Sequence, residues 1–377
     1  MWVRALSLVD FRSYQKVELD LSSQEVILCG PNGRGKTNLV EAIGYVAGLE
    51  SHRVSNDAAL IRKDCEQAVI RLTAEIAGRE TTIELQINSG RANRVQVNGS
   101  ALPRTRDVLG IFRCVTFAPE DLRLVKGEPS DRRRFLDGVM AQVAPRYAGI
   151  RSDFEKALKQ RNALLRSSAG MSTEDFSASV QVWDERYVPL AADLTWGRLN
   201  AVRRLAEPVT SAYRAISPVA DICTISYVSA VPNLVTAQSL EEIQELIANF
   251  LVERRTEDMR RGATSVGPHR DDLDLQLNGM PARTHASHGE SWSLALSLRL
   301  AAFETLTEIS GEPPVLILDD VFAELDEMRR SRLLAAVAEA DQVFITAAVA
   351  ADIPDGVRGE RWQVDADETS HIERVSG

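Results

Sequence analysis

Gly30-Pro31-Asn32-Gly33-Arg34-Gly35-Lys36-Thr37 has the spacing GxxxxGK[ST], suited to holding the phosphates of a nucleoside triphosphate. Glycines let backbone N–H groups turn inward around the anion. A helix starting near Lys36 aims the positive end of its dipole at the same charge. Lys36 is the residue to reach the β- and γ-phosphates, and Thr37 the one to offer a hydroxyl to Mg2+. Far along the chain, "VLILDD" puts Asp319 and Asp320 at the end of an apolar run. Adjacent carboxylates there are costly unless a cation, hydrogen bonds or water satisfies them. Asp319 suits a magnesium ligand, direct or through water, and Asp320 a group that orients or deprotonates an attacking water. The plain alternative for the pair is a strand running into an acidic helix start.

The elements needed to position these residues are readable around them. "EVILC" is a buried strand feeding the glycine-rich loop, and "TNLVEAIGYVAGL" has helical spacing through Leu39, Ile43 and Val46. "KVELDL" alternates as a half-buried strand, and "AVIRLTAEI", "TTIELQI" and "RVQVNG" read as antiparallel strands with a type I′ turn at Asn98-Gly99. Past Pro119 the pattern turns helical from Ser130 to about Ala248, with an exposed loop expected over "RSSAGMSTEDFSAS". Strands "ICTISYV" and "DLDLQLNG", the helix "SWSLALSLRLAAFETLTEIS" and strands "VLILDDV" and "QVFIT" complete the chain.

The bulk numbers fit a soluble globular protein: 377 residues, 44% hydrophobic and 26% charged. The four cysteines lie far apart without zinc or CxxC spacing, so they are expected to be reduced thiols of a cytoplasmic protein. "MWVRALSLVDF" lacks a signal-peptide core, and no apolar run is long enough to span a bilayer. The net charge of −10 argues against nucleic acid, yet residues 121–166 hold 11 Lys/Arg against 6 Asp/Glu. Such a zone suits DNA or a merely solvated helical face.

Some three quarters of the chain separates Lys36 from Asp319, so a large insertion lies between them. "ASHGESWSLALSLRL" precedes Asp319, and "AELD" with Glu324 and Asp326 follows it. This order resembles the ABC ATPases: Walker A, distant signature loop, Walker B, D-loop. "LSLVDFRSYQKVELDL", "FAPEDLRLVKGEPSDRRRFLD", "GATSVGPHRDDL" and "ASHGE" narrow the resemblance to the RecF family of bacterial recombination-repair proteins. These segments run in that family's order across nearly the whole chain. An α/β fold is therefore expected: an ABC-type P-loop ATPase head with mixed sheets and an inserted, mainly α-helical lobe. Residues 1–118 and 305–377 would form the ATP-binding lobe and 119–304 the helical lobe with the signature loop.

The resemblance implies ATP and Mg2+ as cofactors and an ATP-dependent homodimer. It further implies binding at DNA gaps and single-strand/double-strand junctions, cooperation with RecR and RecO in loading RecA, SOS induction, and no membrane partner. It places Arg12, Asn38 and residues 30–37 at ATP, with Lys36, Asp319 and Asp320 catalytic and Thr37 and Asp319 on Mg2+. Ser287, His288, Gly289 and Glu290 would act in trans on the partner's γ-phosphate, beside the D-loop residues Glu324 and Asp326.

Four departures from the ABC pattern predict slow hydrolysis, which the resemblance implies is stimulated by DNA. Glu290 replaces the signature glutamine, and Asp320 the usual glutamate base. Thr346 stands where transporters carry a switch histidine, and no Q-loop glutamine is evident, with Glu120 as its substitute. The carboxylate of Glu290 would repel the γ-phosphate unless it turns away or meets an arginine. In "GPHRDD", either Arg270 approaches a phosphate with Asp271 or Asp272 in support, or the segment is a turn with His269 and the acids solvated.

Alternatives are a transporter ATPase subunit, an overcoming-lysogenisation-defect ATPase coupled to a nuclease, or an ATP-binding interaction protein with little hydrolysis. The first normally has the glutamine and histidine missing here, and the second needs a nuclease domain for which the stretch after Asp326 is too short. DNA contacts are expected from Arg123, Lys126, Arg132, Arg133, Arg134, Lys156, Lys159 and Arg161. Arg254, Arg255, Arg260 and Arg261 form a second group that Glu253, Glu257 and Asp258 can neutralise. Without interleaved aromatics, binding should be salt-sensitive and sequence-independent.

Overall fold

A parallel sheet carries the two chemical motifs. In the computed structural model, which describes residues 1–54, 56–167, 173–217, 219 and 221–375 (side chains of 173–177 excepted), its strands run Ser370–Val375, Glu360–Ala366, Glu25–Cys29, Val343–Ala347, Val315–Asp319 and Cys114–Phe117. All neighbours are parallel except the first pair. Asp319 lies opposite Thr346 and Ala347 opposite Cys29, so the motif strands end together at one sheet edge. Ligands of open α/β sheets bind beyond such carboxyl ends. The strand Val315–Asp319 is buried throughout, which is why it reads as an unbroken apolar run.

Helix Lys36–Gly48 packs on this sheet through Leu39, Val40, Ile43 and Val46. Burying each of these side chains stabilises by about 1.5–3 kcal/mol. On its other side lies an antiparallel sheet ordered Tyr14–Asp20, Trp2–Phe11, Gln67–Ile76, Arg79–Asn88, Arg94–Val97, Ser100–Ala101. Asn98 and Gly99 have φ of 50° and 77°, the positive pair a type I′ turn requires.

Helices Pro129–Val143, Arg146–Ser167, Thr173–Ile216 and Leu240–Arg261 pack round a second core with the small sheet Cys223–Val228, Asp272–Leu277, Met280–Pro281. Of the loop expected at 166–179, both flanks are helical. Helix reaches Ser167 and resumes at Thr173, while 168–172 lie outside the described residues. Helix His288–Ser310 serves both cores: Leu294, Leu298 and Ala302 face the helical one, and Trp292, Leu296, Leu300 and Phe303 face the sheet. A division at 304/305 therefore cuts through a continuous, shared helix. Among the described residues, no helix is long and apolar enough to cross a membrane.

Candidate functional site

The glycine-rich loop leaves the strand at Gly30 and enters the helix at Lys36. Gly30 (φ 152°) and Gly35 (φ 114°) have positive φ, and neither has room for a side chain. A Cβ at Gly30 would lie 2.0 Å from the Val364 carbonyl oxygen, and one at Gly35 2.9 Å from the Tyr14 hydroxyl. Burial pushes that phenol's pKa up, keeping it a neutral donor to the Gly35 carbonyl at 3.3 Å. Lys36 is 3% exposed, and its ammonium donates to the carbonyls of Gly30 (2.7 Å) and Pro31 (3.2 Å) and to Asn32 Oδ1 (3.4 Å). Arg34 reaches the Ala366 carbonyl and Asp365, which fastens the loop to the carboxyl-terminal hairpin.

Thr37 Oγ1 donates to Asp319 Oδ1 at 3.0 Å, joining the two motifs across the sheet edge. Thr346 Oγ1 donates to the same oxygen at 2.7 Å while accepting the Asp320 N–H at 2.8 Å. At the switch-histidine position this threonine thus fixes both acids. Burial raises the Asp319 pKa, the neighbouring Asp320 charge adds to it, and the threonine hydrogen bonds oppose it. Asp320 has φ 51°, a left-handed conformation that Asp tolerates better than most residues and that turns its half-exposed side chain away from the strand line.

Arg12 and Asn38 sit on one flank of the phosphate-loop helix. The Arg12 guanidinium makes a bidentate pair with buried Glu41 (2.6 and 2.9 Å) and donates to the Ala59 carbonyl, using three of its five N–H donors. Asn38 bonds Ser13 at 2.7 Å and accepts from Arg53 at 2.9 Å. His52 carries no motif signal, yet its Nε2 lies 3.9 Å from Asp319 Oδ2. The only sequence clue is a polar "SHR" directly after the apolar helix.

Ser287, by contrast, is exposed and caps helix His288–Ser310. Glu290 turns back onto the Ser287 N–H at 2.6 Å, so its carboxylate is drawn into a capping box. Hydrogen bonds from Ser287, with the charges of Lys126 and Arg329, lower its pKa. Asp326 caps the next helix and pairs with Arg329, which crosses to Ser293 at 3.0 Å and lies against Gly289. Glu324 is exposed beside them. The segments expected as signature loop and D-loop thus lie side by side, and none of these hydrogen bonds reaches the phosphate loop.

The basic zone divides. Arg161 is fully buried between Asp184 (2.7 Å) and Asp258 (2.9 Å) with Thr264 at 2.8 Å, and Arg132 is 5% exposed in a bidentate pair with Asp272. Neither guanidinium can meet DNA, which corrects both expectations. Lys126 spends three donors on the carbonyls of Ala282, Arg283 and Ala286, clasping the approach to Ser287. Arg133 is half-buried and bonds the Asp271 carbonyl. Arg123, Arg134, Lys156 and Lys159 are exposed. Glu257 pairs with Arg254 and Arg261 as expected, whereas Arg255 pairs with Asp184 and Asp258 is taken by Arg161, so the second basic group is neutralised in part and by a different acid.

"GPHRDD" is neither of the two readings in full. His269 is packed under the turn, bonded to the Thr264 carbonyl at 2.9 Å, and burial lowers its pKa to about 4. Burial raises that of Asp271, which accepts from Tyr227 at 2.7 Å, to about 6. Arg270 is exposed.

The RecF/RecN/SMC N terminal domain family matches residues 2–355. The chain is 49% identical over 375 residues to the DNA replication and repair protein RecF of Kineococcus radiotolerans, covering 96% of each. The chain belongs to the RecF family. The RecF of Cutibacterium acnes is 45% identical over 381 residues, covering 97% of this chain and 96% of that one. Among solved structures, the recombination mediator RecF with ATPrS and with ATP, in the RecFOR pathway, superpose with TM-scores of 0.88 and 0.89. They are 29% and 28% identical, and each match covers 100% of this chain and 98% of that one. An SmcHead bound to the C-winged helix domain of ScpA matches at TM-score 0.54 and 15% identity, which reflects fold alone. Family membership sets aside the transporter subunit.

Proposed function

We propose that this RecF-family protein is an ATP-switched DNA clamp of recombinational gap repair and replication-fork maintenance, hydrolysing ATP slowly and faster on DNA. The observation that carries the reading is the separation of the half-sites. Lys36, Thr37, Asp319 and Asp320 converge at one sheet edge, while Ser287, Gly289 and Asp326 lie on an exposed face that makes no described contact with them. A second copy is then needed to bring its signature loop over the phosphates, so ATP favours the dimer by binding that state better. Relatives caught with ATP and ATPrS support the ligand.

Triphosphate and Mg2+ fit what the site offers: a loop crowded at Gly30 and Gly35, a buried ammonium held among the described residues by neutral oxygens, and a hydroxyl–carboxylate pair. Bound there, they supply the anhydride to be cleaved and the charge neutralisation for cleavage. Lys36 would exchange its carbonyls for phosphate oxygens. Thr37 and Asp319 would hold the metal, Thr346 would keep both acids in place, and Asp320 would orient the attacking water. The lobe division at 118/119 and 304/305, with its shared helix, would let nucleotide closure reach the helical lobe.

In this reading DNA binds through phosphate contacts at gaps and single-strand/double-strand junctions. RecR and RecO cooperate in loading RecA, with SOS induction downstream, as the pathway of the solved relatives suggests. The test is light scattering with no nucleotide, with ATP, and with ATP plus gapped duplex. A monomer that becomes a dimer with ATP, more firmly with DNA, is expected. A monomer throughout would remove the clamp.

A further inference from the structure

The ABC pattern leaves the Walker B acid with a switch histidine nearby, and here Thr346 holds that position. A different histidine reaches the same carboxylate from the other direction. Asp319 is 3% exposed, and both hydroxyls that donate to it, from Thr37 and Thr346, converge on Oδ1. Oδ2 faces His52 Nε2 at 3.9 Å, and that nitrogen is buried without a hydrogen-bond partner among the described residues. A buried nitrogen thus faces a carboxylate oxygen less than about 1 Å beyond hydrogen-bond range. Such a donor is costly while its bond is unmade.

We propose that His52 is a positioning residue of the nucleotide site, donating from Nε2 to Asp319 Oδ2 and thereby presenting Oδ1 to the metal. This rests on the ATP-switch reading above. With the Thr37 hydroxyl given to Mg2+, Asp319 would keep the Thr346 donor on Oδ1, and its orientation would rest on that one bond. A donor on Oδ2 adds a second. Carboxylate ligands are ordinarily fixed by such outer hydrogen bonds, and loss of one costs roughly 10–100-fold in metal affinity or activity. His52 is in a loop and so can travel the missing distance without disturbing the sheet. His52 also borders a cavity of about 180 Å3 that Glu120, Arg123 and Arg134 line with it.

The test uses the full chain with His52→Phe, which keeps a ring without a donor, and His52→Gln, which keeps an N–H near Nε2. Binding of a fluorescent ATP analogue is titrated with Mg2+, and again in EDTA. For His52→Phe the Mg2+ midpoint should rise about tenfold, with kcat falling and KM for ATP little changed, while affinity in EDTA stays at the wild-type level. His52→Gln should restore the midpoint to within about threefold. In an Asp319→Asn background, His52→Phe should add nothing, because the effect runs through that carboxylate. An unchanged midpoint in His52→Phe, an additive effect with Asp319→Asn, or a glutamine as poor as phenylalanine would overturn the inference. Wild-type protein that binds no analogue under any condition would overturn the nucleotide reading itself, and this inference with it.

Discussion

Lys36 and Arg161 are both buried cations, and what surrounds them separates the two halves of the molecule. Arg161 is met by two carboxylates and a hydroxyl, so its charge is neutralised inside the protein. Lys36 is met by two carbonyls and an amide oxygen, with no ion pair among the described residues. A buried charge without a counter-charge is expensive and is retained where a ligand supplies one. The same burial therefore marks architecture in the helical lobe and a binding site at the sheet edge.

The sharpest way to break this comparison is to remove the chemistry at the sheet edge. Lys36→Met should abolish ATP binding and ATP-dependent dimerisation, yet shift unfolding by less than about 1 kcal/mol, since no paired charge is orphaned. Asp320→Asn should do the opposite with nucleotide: bind ATP, form the dimer and hold it, with kcat down at least about 100-fold. Equilibrium binding and light scattering of the two variants separate these outcomes. If Asp320→Asn fails to dimerise, Asp320 is not the water-orienting group.

Next comes Arg161→Met, which leaves Asp258 buried and unpaired. It should lose about 3–5 kcal/mol in urea unfolding. An effect below about 1 kcal/mol would mean that the two buried cations are not held differently after all.

The same residues mark the boundary of what is legible in the sequence. The phosphate loop, the Asp-Asp strand end and both Asn-Gly turns are local patterns whose chemistry is complete within a few positions, and each can be read directly. Arg132 and Arg161 mislead because their partners, Asp272 and Asp258, are 140 and 97 positions away. A basic run looks the same whether it faces solvent or a distant carboxylate. His52 is silent for the same reason: its meaning comes from Asp319, which the parallel sheet brings back beside the first helix. Glu290 reads as an electrostatic problem when taken alone, although the Ser287-x-x-Glu290 spacing before an apolar run is itself the mark of the capping box that turns it away.

A smaller effect belongs to the turn at His269 and Asp271. Neutral His269 is favoured by folding, so between about pH 6.5 and 4 the unfolded chain binds more protons there and stability falls as pH falls. Asp271 has the opposite sign: its folded pKa of about 6 lies above the unfolded 3.8, so stability rises as pH falls through that window. The two partly cancel. Asp271→Asn should steepen the loss of stability from pH 6 to 4, and His269→Gln should flatten it, each by on the order of 1–3 kcal/mol across the window. Urea midpoints at several pH values read both, and equal slopes in the two variants would contradict the buried placement.

The smallest effect tests the other half of the comparison, the basic residues that remain free of carboxylates. Arg134 and Lys159 are exposed on successive helices, whereas Arg132, close to the first in sequence, is locked to Asp272. Arg134→Ala and Lys159→Ala should each weaken DNA binding a few-fold and lower the slope of log affinity against log salt by about 0.9 for each DNA phosphate no longer neutralised. Unfolding should move less than about 0.5 kcal/mol, as for other exposed substitutions. Arg132→Ala should invert this, costing about 3–5 kcal/mol by orphaning Asp272 while leaving the salt slope of the surviving folded protein unchanged. Asp272 is more exposed than Asp258, so screening puts the loss at the lower end of that range, below that of Arg161→Met. A salt slope that falls with Arg132→Ala but not with Arg134→Ala would move the DNA surface off the exposed face and onto the small sheet.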